Sequence, residues 1–90
     1  MKPLFALGQL VATPGAIDLL EQNEVHLWSL VDRHVKGDWG DISAEDKRSN
    51  YHDAEIGNRV LSSYKLKTGT VWIITEGDRS VTTLLLPEEY

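Results

Sequence analysis

Three short runs in the second half of the chain, RVLSSYKL at 59–66, TVWIIT at 70–75 and SVTTLLLP at 80–87, constrain the fold more than any other feature. Each is rich in β-branched, aromatic and aliphatic residues, and the gaps between them hold the turn-forming pairs Thr68-Gly69 and Gly77-Asp78. The segment therefore reads as a three-stranded antiparallel meander with two-residue loops. That register puts Val60, Ser62, Tyr64, Leu66, Val71, Ile73, Thr75, Ser80, Thr82, Leu84 and Leu86 on one face. The other face carries Arg59, Leu61, Ser63, Lys65, Trp72, Ile74, Glu76, Arg79, Val81, Thr83 and Leu85. The first face holds more aliphatic residues and is expected to pack on helices.

The first half supplies those helices. Leu4 to Ala12 reads as a strand, and Thr13 caps a helix that opens with Pro14, where a missing N–H costs nothing. This helix carries Ile17, Leu19 and Leu20 and is expected to end near Asn23, which is then placed to cap the next one. In the second helix Leu27, Val31, His34 and Val35 form one stripe, with Trp28 on its flank. Gly37 stops it, and Ser43 with Asp46 three positions on opens a mostly polar third helix over Ala44–Glu55, ended by Gly57. The predicted fold is α+β: an N-terminal strand and three short helices packed on a C-terminal three-stranded antiparallel meander, with residues 1–90 as a single domain.

Composition narrows the function classes. The absence of cysteine excludes a disulfide staple and a thiolate zinc site. Lys and Arg number 9 against 14 Asp and Glu, a formal charge of −5, which disfavours phosphate-backbone binding and leaves only a local basic groove for nucleic acid. The opening MKPLFALGQLVATPGA has the outline of a secretory leader, but Gly8 and Gln9 interrupt its apolar run. A cytoplasmic chain with neither a cleaved leader nor a membrane anchor is expected.

Two clusters carry candidate chemistry. In HVKGDWGD, residues 34–41, His34, Asp38 and Asp41 offer a weak divalent-metal alternative. The preferred reading is structural: the two aspartates hydrogen-bond the backbone of a corner and Trp39 packs over it. In TEGDRS, residues 75–80, the predicted register sets Glu76 opposite Arg79 with Arg59 at the same end, a carboxylate beside two guanidiniums. Such a group suits phosphate recognition and a general base, or simply a solvated ion pair. His26, His34 and His52 all fall on predicted helices, His34 as a partly buried residue bonded to the corner. No local spacing gives a catalytic triad, a phosphate loop or a dinucleotide fingerprint. Trp39, Trp72, Glu76 and Arg79 remain as binding candidates, and no cofactor is indicated.

RHVKGDWGD, SSYKL and WIITEGDRSVTTLLLPEEY together resemble a group of small bacterial proteins of plasmids and other mobile elements, a likeness that covers most of Arg33 to Tyr90. Some of that group are labelled type I restriction methylation subunits. The chain is too short for a methyltransferase domain and has no Asn-Pro-Pro-aromatic tetrapeptide. Helices followed by a meander also resemble, in architecture alone, the barnase and RelE type ribonucleases. That likeness implies a metal-independent ribonuclease with Glu76 as base and Arg59 and Arg79 on the phosphate. The leading expectation is a non-catalytic binding or regulatory protein of mobile-element type with a protein partner. A homodimer is expected through Trp72, Ile74, Val81 and Leu85 on the second sheet face.

Overall fold

The structure, a computed structural model, describes residues 3–90; Lys2 of the leader-like opening lies outside them. The meander forms from β2 (Val60–Lys65), β3 (Thr70–Thr75) and β4 (Val81–Leu85). Its faces are those predicted, but its register is not. Lys65 pairs with Thr70 and Thr75 with Thr82, so each hairpin resumes its ladder two residues away from the predicted pairing. A shift of two keeps the pleat in phase, which is why the side chains within the ladder stay on their expected faces. In the second hairpin Gly77-Asp78 still forms the tight turn, closed by the Arg79 amide donating to the Glu76 carbonyl (2.9 Å). Arg79 then takes a left-handed φ of 60° and, with Ser80, is left out of the ladder.

The sheet has a fourth strand, which corrects the three-stranded prediction. β1 (Gln9–Ala12) lies parallel to β4, giving the order β1-β4-β3-β2. Only these four residues of the longer predicted strand pair. Gly8, at φ 66°, starts β1 so close to the hairpin that a Cβ would lie 2.3 Å from the Arg79 carbonyl oxygen. Among the described residues no helix is long and apolar enough to cross a membrane.

Helix α1 (Pro14–Gln22) is capped as expected, the Thr13 hydroxyl accepting from the Ala16 amide. Asn23 closes α1 instead of opening the next helix, and its side chain is tied to Leu19 and to Thr68 in the first hairpin loop. The N-cap of α2 (Leu27–Val35) is His26, whose Nδ1 accepts from the Trp28 amide. Leu30, Val31, His34 and Val35 are the buried side of α2. With Ala16 and Leu20 of α1, Leu30 and Val31 pack on Tyr64, Val71, Ile73 and Leu84 of the sheet. A second cluster of Phe5, Val35, Trp39 and Val60 fills the end of the core nearest the corner.

Helix α3 (Ala44–Ile56) has no apolar stripe and buries only Asn50. That residue guards the outer edge of the sheet. Its amide donates to the Leu61 carbonyl (2.7 Å) and accepts from the Leu61 N–H (3.3 Å), imitating a neighbouring strand. The corner before α3 continues the imitation. Ser63 donates to the Trp39 carbonyl and accepts from the Asp41 amide, and the Lys65 N–H donates to the Asp41 carboxylate. Edge strands invite pairing with other chains, and β2 is covered against it along its length.

The second sheet face is less open than predicted. Tyr90, after a short 3₁₀ turn at Pro87–Glu89, packs edge-on against Trp72 and lies under the Arg59 guanidinium. Arg59 in turn reaches Glu76. Ile74 and Leu85, counted on for a dimer contact, are only 3% and 8% exposed within a single chain.

Candidate functional site

The corner is built from its ends inward. Gly37 takes φ 87° after α2, where a Cβ would press on Leu4 and Tyr51. Gly40, at φ 77°, brings its backbone so near β2 that a Cβ would sit 2.1 Å from the Ser63 carbonyl oxygen. Neither position admits a side chain. The Tyr51 hydroxyl donates to the Gly37 carbonyl and the Tyr64 hydroxyl to the Asp38 carbonyl, so two aromatic residues tie the corner to α3 and to β2. Asp38 accepts from Arg33 (2.7 Å) and from the Gly40 amide, and the hydrogen-bonded guanidinium holds its carboxyl below the usual range. Arg33 also lies over the Tyr64 ring.

Trp39 is 1% exposed, stacked with Phe5 and met edge-on by His34 and Tyr51. Its indole N–H has no partner among the described residues. As a binding candidate Trp39 is therefore corrected: it is a core residue. His34 is completely buried and bonds to the strands, not to the corner as predicted. The three candidate metal ligands do not converge. Asp38 is on the surface with Arg33, Asp41 is bound to β2, and His34 is enclosed beneath. Among the described residues no group of three His, Cys, Asp or Glu is placed to hold a metal ion.

The bonding around His34 fixes its protonation. The Leu7 carbonyl can only accept, so the Thr82 hydroxyl donates to it (2.7 Å) and must accept from the Thr75 hydroxyl (2.7 Å). Thr75 then has only an acceptor to offer Nε2 of His34 (2.9 Å), which must carry the proton. Nδ1 accordingly accepts from the Ser62 hydroxyl. This chain of single donors is satisfied by a neutral imidazole. Burial first, and the Arg79 charge second, push the His34 pKa down to about 3. The sequence placed His34 beside an apolar stripe, but Ser62, Thr75 and Thr82 gave no local sign of their common partner.

At the other end of the sheet the structure brings together only part of the predicted cluster. Arg59 and Glu76 form a half-exposed pair at 3.7 Å. Arg79 leaves them, which corrects its predicted position opposite Glu76. Its guanidinium lies over the Phe5 ring and donates to the carbonyls of Asp53 and Ala54, at the end of α3, and of Asn58 and Glu76. A cation on the last turn of a helix meets the negative end of the dipole, and here it adds to the bonds that the Gly57 and Asn58 amides already make to the Asp53 carbonyl. The two-residue register shift is what frees Arg79 for this task. Arg79→Lys is expected to cost about 2 kcal/mol, since one ammonium cannot serve four carbonyls. Urea unfolding measures it; a loss as small as that of Glu76→Gln, about 0.5 kcal/mol for an exposed pair, would refute the capping role.

The surface also carries large apolar side chains. Ile17, Trp28, Tyr51 and Ile56 are exposed large hydrophobic side chains on the three helices. Sequence reasoning looked for sites among the polar motifs and passed over these, although Trp28 on the flank of its stripe was a visible sign. Comparison with family models, with curated proteins and with solved structures finds no match.

Proposed function

We propose that the chain is a small non-catalytic binding or regulatory protein, cytoplasmic and of the mobile-element type its sequence resembles, acting through a protein partner. One observation carries this reading: His34, Arg79 and Asp41 are committed to the fold, while large apolar side chains stand on the helices. His34 is locked in its hydrogen-bond chain, Arg79 in its cap and Asp41 on the sheet edge. The exposed Trp28 and Tyr51 are of the residue types enriched at protein interfaces.

The test uses a photoreactive amino acid at position 28 or 51 in living cells. A discrete adduct is expected, and its second component, once purified, should form a stoichiometric complex with the wild-type chain. In parallel, RNA incubated with the protein and a chelator should stay intact. Cleavage that disappears in Glu76→Gln while the unfolding midpoint stays fixed would put the ribonuclease reading first.

A further inference from the structure

We infer that the groove between α1 and α2 receives a basic amphipathic segment of a protein partner, its apolar anchor between the helices and its cations on the acidic rim. The inference deepens the protein-binding reading and rests on it. The groove, about 200 Å³, has Leu20 as its floor, with Ile17, Val25 and Leu27 along its sides. Its walls are almost wholly apolar, and Ile17 remains 41% exposed although it begins a turn of a well-capped helix. A space of this kind holds a large aliphatic or aromatic side chain presented by a helix.

Charge selects the occupant. Between Pro3 and Asp32 the acidic residues are Asp18, Glu21, Glu24 and Asp32, with no lysine or arginine among them. Asp32 pairs with Lys36, while Asp18, Glu21 and Glu24 are exposed and carry no ion pair among the described residues. Glu21 lines the groove itself, together with His26, whose Nδ1 accepts from the Trp28 amide. The basic segment around Lys67 adjoins another side of α1, where Thr68 bonds Asn23 and Gly69 meets Leu19. Among the described residues no ion pair neutralises Asp18, Glu21 or Glu24, so a partner segment with lysines or arginines flanking its anchor gains from the rim and an acidic one is repelled.

Two other grooves also set acidic side chains beside apolar ones, but their walls are more polar. The space beside Leu4 and Tyr51 contains a tyrosine whose hydroxyl is already spent on Gly37, and that beside Leu61 contains Asn50, which holds the sheet edge.

Two synthetic helices serve as probes, one with leucines on one face and lysines on the other, the second with glutamates in place of the lysines. In ¹H–¹⁵N spectra of the full chain the lysine probe should shift Ile17, Glu21, Val25 and Leu27, and the glutamate probe should not. Glu21→Lys and Ile17→Ser should each weaken binding about tenfold, as expected for a close charge and a central apolar contact, while Glu55→Lys on α3 leaves it unchanged. Circular dichroism confirms that each variant keeps its helices. Equal response to both probes, shifts centred elsewhere, or indifference to Glu21→Lys overturns the inference. So does a concentration-dependent dimer abolished by Ile17→Ser, which would give the groove to a second copy. If the groove fails but the adduct partner still binds through Tyr51 or Trp28, the protein-partner reading stands without it; if no stoichiometric partner is found either, both fall.

Discussion

Trp39→Ala is expected to remove about 3–5 kcal/mol of stability, the range for emptying a large aromatic site in a packed core. A chain of 90 residues has a total margin of roughly 5–13 kcal/mol, so between about a quarter and all of it would go. The loss has two parts. One is volume, because Phe5, His34 and Tyr51 all rest on the indole. The other is position: the Trp39 carbonyl and the Asp41 amide hold Ser63 on the open side of β2, and a corner without its anchor releases that edge. Hydrogen exchange separates the two, since the Ser63 and Lys65 amides should gain more in rate than amides of β3. Trp39→Phe should cost only about 1 kcal/mol, because the ring fills most of the space and the N–H it removes has no partner to lose. A Trp39→Ala variant within about 0.5 kcal/mol of wild type would mean that the corner does not depend on this residue.

The outcome at Trp39 bears on how far the sequence could be followed. Helix ends were legible because their signals are local: Thr13, Ser43 and Gly57 each act on residues within a turn, and each acts as expected. Sheet faces were legible because alternation survives a register error of two. What could not be read depends on distance along the chain. Asn50 looks like one polar residue on a polar helix until its eleven-residue reach to Leu61 is seen. Arg79 looked like half of a hairpin ion pair because the extra residues in the turn, which swing it toward Asp53 and Ala54, leave no trace in composition. Tyr90 covers Trp72 only because the chain doubles back after Leu86, and the predicted need for a dimer rested on a face taken to be bare. The likeness to barnase and RelE type enzymes weakens for the same reason, since one of its two guanidiniums is on the helix side.

The same long-range assembly makes stability depend on acid through His34. An unfolded chain binds a proton on this imidazole near its ordinary value of 6.5, whereas the native chain, with its pKa near 3, refuses it until far lower pH. Between those values the unfolded state holds more protons, so stability rises with pH across the window and is lost as pH falls through it. Its contribution is complete above 6.5 and gone below 3. The loss on going from pH 7 to pH 4 is about 3 kcal/mol from this group. Protonation is resisted for a structural reason as well as a dielectric one. A second N–H at Nδ1 would confront the proton of the Ser62 hydroxyl, and Ser62 could accept only by turning that proton away. His34→Gln isolates the effect, because every other titrating group is common to both chains. The variant should be less stable at pH 7, by about 2 kcal/mol for an imperfect replacement of two buried hydrogen bonds, yet lose less between pH 6.5 and 4. Urea midpoints taken at half-unit steps measure both slopes, and the His34 ring signals in a native-state NMR titration should stay fixed down to pH 4. Parallel acid limbs in the two proteins, or a His34 ring that titrates near 6.5 while the fold is intact, would show that the buried chain from Ser62 to Leu7 does not hold the imidazole neutral.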